Sequence, residues 1–192
     1  MKTARILAFS ASLRKESLNA KLVRVAAKAA EAEGAVVTLI HLRDYPLPVY
    51  DGDVEAATGL PENAVKLKAL FKEHQGLLVA SPEYNGSYPG GFKNMLDWLS
   101  RSAPGERPFA ALEGKTAAIM AASPGAFGGM RLLPLLRLLL SGMRVLVLPD
   151  QLALPKAHEA FQEDGSLRDP KIAGSVEALG KLLARTCTKL AE

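Results

Sequence analysis

The feature that most constrains this chain is its alternation: five short apolar runs, each followed by a stretch with helical spacing. Ile6-Leu7-Ala8-Phe9 leaves no polar side to face water, so it reads as a strand buried on both faces. Leu18, Leu22, Val25, Ala26 and Ala29 then recur at intervals of three and four and stop at Gly34, which predicts a helix. Val36–Leu42, Gly76–Ser81, Thr116–Ala122 and Arg144–Leu148 read as four further strands. Helical spacing returns around Val65–Phe71, Phe92–Leu99, Gly129–Ser141 and Ile172–Leu190. Tyr45–Pro61, with three prolines and two glycines, reads as a long loop, and Pro149–Pro170 as mostly loop, in which Glu159–Asp169 forms a lid or an arm.

Strand and helix in strict alternation imply an α/β fold: a parallel sheet with helices on both faces, joined by right-handed crossovers. For five strands the expected order is 2-1-3-4-5, the flavodoxin-like three-layer sandwich, in one domain spanning 1–192. In such sheets the ligand binds beyond the carboxyl ends of the strands, beside strand 1. The loops after strands 1, 3 and 4 are therefore the ones to inspect.

Charge and composition narrow the classes. Lys and Arg number 24 against 20 Asp and Glu, a net charge of +4, but the cations are scattered among acids and form no stripe interleaved with aromatics. That argues against nucleic acid and leaves steering of small anions as the role of the charge. No run approaches a membrane span, and the first apolar run is cut short by Ser10, Ser12 and Arg14, too early for a secretory signal. A single cysteine, Cys187, forms no internal disulfide and fits a reducing cytoplasm. It and three separated histidines give no zinc spacing.

The first loop, Ser10–Asn19, has neither a dinucleotide-binding glycine fingerprint nor a Walker sequence. It offers three hydroxyls, an amide, two cations and a helix N-terminus, a set suited to a terminal phosphate. The same residues also suit a plain turn in which Ser17 caps the helix. The loop after strand 3, Ser81–Gly91, is dense in Pro and Gly and carries Tyr84 and Asn85, which serve either a planar ligand or ordinary packing. The loop after strand 4, Ser123–Gly129, is built of small residues that permit close backbone approach.

Together these loops carry a resemblance. Ser10-x-Ser12-Leu13-Arg14-x-x-Ser17-x-Asn19, Pro82-Glu83-Tyr84-Asn85-Gly86-Ser87-x-Pro89-Gly90 with Lys93-Asn94-x-x-Asp97-Trp98, and Ser123-Pro124-Gly125-x-x-Gly128-Gly129-x-Arg131 resemble the NADPH-dependent FMN reductase family, which includes quinone, chromate and azo-dye reductases. The resemblance implies non-covalent FMN and a nicotinamide donor, NADPH or NADH. Ser10, Ser12, Arg14, Ser17 and Asn19 would hold the FMN phosphate. Pro82, Glu83, Tyr84 and Asn85 would line the isoalloxazine, and Ser123 and Gly125 its other edge. The family usually has Gly where this chain has Ala11, whose Cβ would crowd the turn if the backbone needed positive φ. No acid, base or nucleophile is nominated as catalytic, because the redox chemistry belongs to the cofactor. The rival reading is a flavodoxin-type electron carrier that oxidises no nicotinamide.

The leucine-dense stretch Leu132–Leu140 is apolar nearly all round, which favours a homodimer interface; the family resemblance implies dimers or tetramers. Glu83 and Arg131 would serve that interface as much as the flavin. Asp97 and Trp98 read as structural, Cys187 as an inert thiol and the histidines as surface residues.

Overall fold

Ile6 and Ala8 point to one side of a strand and Leu7 and Phe9 to the other, and all four are sealed from water. A computed structural model, describing residues 3–190, makes this run an interior strand of a five-stranded parallel sheet. The strands are β1 Arg5–Ser10, β2 Val36–His41, β3 Gly76–Ser81, β4 Thr116–Ala122 and β5 Leu146–Leu154, in the order β2-β1-β3-β4-β5. The helices are α1 Leu18–Ala32, α2 Gly52–Thr58, α3 Glu62–Glu73, α4 Gly90–Ser100, α5 Leu132–Gly142 and α6 Pro170–Leu190.

The period-two split of the strands builds two cores. Ile6, Ala8, Leu78, Ala80, Ala118 and Met120 face α1 and α6. Leu7, Phe9, Leu77, Val79, Ala117 and Ile119 face the α3, α4 and α5 side, where Phe92, Met95, Leu96 and Leu99 of α4 meet them. Between α1 and α6 the backbones come so close at Gly180 that a Cβ there would stand 2.1 Å from the carbonyl oxygen of Ala26. A side chain at that position would push α1, and the loop it carries, off the sheet.

Three sequence expectations need correction. The predicted loop Tyr45–Pro61 contains α2, capped by Asp51, whose carboxylate accepts the Asp53 N–H at 2.8 Å. Its seven residues bury no side chain, so no apolar stripe marked it. The segment is docked onto α4 instead. Tyr50 donates its N–H to Asn94 (2.8 Å), and the Trp98 indole donates to the Pro48 carbonyl (2.9 Å) while meeting the Tyr50 ring edge-on.

The fifth strand does not end at Leu148 but passes through Pro149 to Leu154, so that Pro149–Leu154 is strand rather than loop. Proline survives there because β5 is an edge strand and its register against β4 shifts between Ala117 and Ile119. Arg137 of α5 donates to the carbonyls of Val147 and Pro149, each at 3.1 Å, which satisfies acceptors near the shift.

Third, His74 is not a surface residue. It is 1% exposed, with Nδ1 2.6 Å from the Leu70 carbonyl and Nε2 2.7 Å from the Thr38 hydroxyl. Both ring nitrogens are thus used in holding α3 to β2. The leucines of α5 divide between two faces. Leu132, Leu133, Leu136 and Leu140 are core, while Leu135 and Leu138 face outward, Leu138 at 71% exposure.

At the amino ends of β3 and β4 lies a buried cation. Lys115 is 6% exposed and donates from Nζ to the His74 carbonyl at 2.6 Å. Burial pulls its ammonium from 10.5 down to about 8, while burial pushes the Cys187 thiol up to about 11. A lysine whose folded pKa is lowered binds fewer protons folded than unfolded between these values. Its cost is therefore full below pH 8 and is relieved as pH rises towards 10.5. Lys115→Met is expected to be more stable at pH 7 by about 2 kcal/mol, roughly 3 from the shift less about 1 for the lost hydrogen bond. Urea unfolding at pH 7 and pH 10 should show that gap nearly closed at the higher pH. Cys187, whose pKa is raised by burial and held down in part by Lys115, lowers stability above pH 9 in both proteins.

Candidate functional site

The loops following β1, β3 and β4 meet in a cleft lined by Ser12, Arg14, Ser17, Glu83, Tyr84 and Ser123, with Asn19, Pro82 and Pro124. It opens at the carboxyl rim, beside β1, where the reversal of strand order leaves a crevice.

The first loop is held by its own hydroxyls. Ser10 Oγ accepts the Ser12 N–H at 3.1 Å, Ser12 Oγ the Arg14 N–H at 3.2 Å, and Ser17 Oγ the Ala20 N–H at 3.2 Å. Ser10 and Ser17 also share a hydrogen bond at 3.3 Å. Ser17 is thus the N-cap of α1 as well as a wall of the cleft. Each of these oxygens already accepts one backbone N–H, and the protons of Ser12 and of one member of the Ser10–Ser17 pair remain free to donate. Helix geometry leaves the N–H groups of Leu18 and Asn19 without intrahelical acceptors. Arg14 adds an exposed guanidinium, which makes no ion pair among the described residues. A cleft wall made of surplus donors at the positive end of a helix selects for an anion with several oxygens.

Ala11 raises no obstacle. It is absent from the positive-φ positions, its N–H donates to the Ala80 carbonyl at 2.9 Å, and its methyl is buried in the core under the loop.

The Asn19 side chain has a structural job beside the one the resemblance implies. Its side chain, 3% exposed, donates from Nδ2 to the Ala122 carbonyl (2.9 Å) and accepts the Ala122 N–H at Oδ1 (2.8 Å). It clamps α1 to the end of β4 and so fixes the spacing between the first and third loops. Asn19→Ala would strand a buried N–H and a buried carbonyl, and a loss of about 2–4 kcal/mol in urea unfolding is expected. An unchanged midpoint would remove the clamp from this account.

In the second loop Tyr84 and Ser87 exchange both backbone hydrogen bonds, at 2.9 and 3.0 Å, around Asn85 (φ 52°) and Gly86 (φ 80°). Two consecutive positive φ values make a type I′ turn, and the Asn-Gly pair was its sequence signal. The turn holds the Tyr84 ring out at the rim, 43% exposed. Beneath it the Glu83 side chain is 6% exposed and pairs with Arg131 through Oε1, while its buried Oε2 has no partner among the described residues. Arg131 lies 5.3 Å from the Phe127 ring, so the second and third loops are tied together at the cleft.

The third loop turns on Gly128, at φ 60°, where a Cβ would stand 2.5 Å from the Pro155 nitrogen. Gly125 donates its N–H to Ser123 Oγ at 3.1 Å, and its carbonyl accepts the Lys156 N–H at 3.2 Å. Every residue nominated from the sequence therefore lies in the three converging loops or in the first turn of α1. Asn94 and Trp98, which share a motif with the second loop, instead dock Pro48 and Tyr50, and Lys93 pairs with Asp97 at 2.6 Å.

The sequence profile described as NADPH-dependent FMN reductase matches residues 4–159, which contain all three loops. The chain belongs to that family. Among its relatives is a quinone reductase of Escherichia coli (strain K12), 40% identical over 120 residues, 62% of this chain and 60% of that protein. The chain thus spans less than two thirds of the length of that relative. An NAD(P)H-dependent FMN reductase of Pseudomonas aeruginosa is 37% identical over 171 residues, covering 87% of this chain and 86% of that one. Among solved structures, a flavoenzyme NAD(P)H:(acceptor) oxidoreductase from Paracoccus denitrificans superposes with a TM-score of 0.80 at 30% identity, over 97% of this chain and 98% of the other.

Proposed function

We propose that this chain, as a single domain, is an FMN-dependent NAD(P)H oxidoreductase that oxidises a nicotinamide in one half-reaction and reduces a quinone, azo compound, chromate or free flavin in the other. The observation that carries this reading is the cleft at the carboxyl rim, with a wall of surplus donors at the α1 N-terminus on one side and an exposed aromatic on a rigid turn on the other. A phosphate fits the first and a planar ring the second. The buried, unpartnered Glu83 Oε2 is an acceptor that a ligand N–H would satisfy. FMN, when bound, supplies a two-electron carrier between donor and acceptor.

The residues of the chain do the rest. Arg14, Ser10, Ser12 and Ser17 bind and neutralise the phosphate, with Asn19 positioning the helix end that carries them. Pro82, Glu83, Tyr84 and Asn85 line the ring through a turn too short to sag. Ser123 and Gly125 would close its other edge, where hydrogen-bond donors would stabilise negative charge as it develops. None of these groups needs to act as acid, base or nucleophile.

The deciding experiment is the visible spectrum of the purified protein, followed by anaerobic addition of NADPH. A yellow protein that bleaches and regains colour with a quinone supports the reading. A yellow protein that NADPH does not bleach is an electron carrier. A colourless protein that takes up no added FMN defeats both.

Among the described residues no helix is long and apolar enough to cross a membrane. We place the protein in the cytoplasm, in keeping with its single buried thiol, and as a homodimer or homotetramer. Leu135 and Leu138, one turn apart on the outer face of α5, are the surface we assign to self-association. Leu138→Glu is expected to shift the mass in light scattering from oligomer to monomer, and a parent that is already monomeric would sink the assignment.

A further inference from the structure

A second cleft, of about 440 Å³, shares no lining residue with the rim cleft. Its walls are apolar: Leu154 and Pro155 at the end of β5, Ala160, Leu167, and Ile172 in the first turn of α6. The volume falls in the range that holds a small organic molecule. Arg168 donates its N–H to the Ala160 carbonyl at 2.9 Å, which fixes two of the walls to each other.

Four charged residues ring this space, and they are unequally committed. Glu159 Oε1 lies 3.0 Å from His158 Nε2, and Asp169 caps α6 by accepting the Lys171 N–H at 2.8 Å. Lys156 and Arg168 form no ion pair among the described residues. Lys156 also sits at φ 47°, a left-handed backbone that a side-chain-bearing residue adopts at a cost, held there by the bond from its N–H to Gly125. An apolar enclosure with two uncommitted cations at its mouth is complementary to one class of ligand.

We infer that this cleft binds a small amphipathic anion, a flat apolar body bearing one carboxylate or sulfonate. The body packs against Leu167 and Ile172, and the acid group lies between Lys156 and Arg168. This binding is separate from the proposed redox reaction, whose donor and acceptor meet the rim, and it stands whether or not that reading holds.

The probe is 8-anilinonaphthalene-1-sulfonate, titrated calorimetrically into the protein in saturating FMN so that the rim is not the site observed. The expected result is one site per chain. The double variant Lys156→Gln/Arg168→Gln and the single variant Ile172→Glu should each weaken binding about tenfold. Lys15→Gln, which removes an exposed charge outside this cleft, should bind as the parent does. The double variant changes only exposed side chains, so it remains informative if Ile172→Glu fails to fold. Absence of a one-to-one site in the parent, an affinity unchanged by the double variant, or loss of the site in Lys15→Gln would each overturn the inference.

Discussion

Arg14→Ala is expected to weaken FMN binding about 10- to 100-fold in a flavin-fluorescence titration, with the fold intact. Arg14 is exposed and joins the first loop only through its backbone N–H, which donates to Ser12 Oγ, so truncating the side chain breaks no internal contact among the described residues. What is lost is a charge-assisted bond to phosphate, worth about 1.5–3 kcal/mol. Lys15→Ala supplies the control: its side chain is exposed but does not line the cleft, and general charge steering alone changes affinity little at physiological salt. If the two variants behave alike, the phosphate is not at the α1 N-terminus. If Arg14→Ala matches the parent within about twofold, the donor wall has been misread.

Gly128→Ala is expected to lower stability by about 3 kcal/mol, a drop in Tm of roughly 6–12 °C for a chain of this size. Two costs combine there. The residue sits at φ 60°, where a Cβ is strained, and that Cβ would lie 2.5 Å from the Pro155 nitrogen and 2.6 Å from the Leu154 carbonyl carbon. Both neighbours are backbone at the end of β5 and have no rotamer by which to yield. Gly86→Ala separates the terms: its φ is 80° but a Cβ there meets nothing within 4 Å. It pays only the conformational strain, about 1–2 kcal/mol. Equal losses in the two variants would mean that the third loop does not pack on β5 as described.

The site was legible in the sequence to the extent that it is made of local signals. Ser17 as N-cap, the Asn85-Gly86 turn and the small residues after β4 each act within a few neighbours, so a short window contains both cause and effect. Asn19 shows where this stops. Its partner, Ala122, is 103 residues away, and no window that contains one contains the other. A resemblance places Asn19 with the phosphate; the geometry spends its amide on β4. His74 was misjudged for the same reason, since Thr38, 36 residues distant, is what makes its burial affordable.

The sequence by itself determined the order of elements, the strand order 2-1-3-4-5 and the rim on which the three loops converge. These follow from the alternation of apolar runs with helical spacing, and from the handedness of crossovers, which leaves few ways to wind five parallel strands. The tertiary structure alone decided that β5 carries on through Pro149, because only an edge position with a shifted register tolerates a missing N–H. It alone decided that α2 forms with no buried face of its own, and that the loop hydroxyls are fixed at the cleft by accepting from one another's backbone. Periodicity encodes which face of an element is buried, but the partner of each polar group is set by contacts between segments that meet only once the sheet has closed.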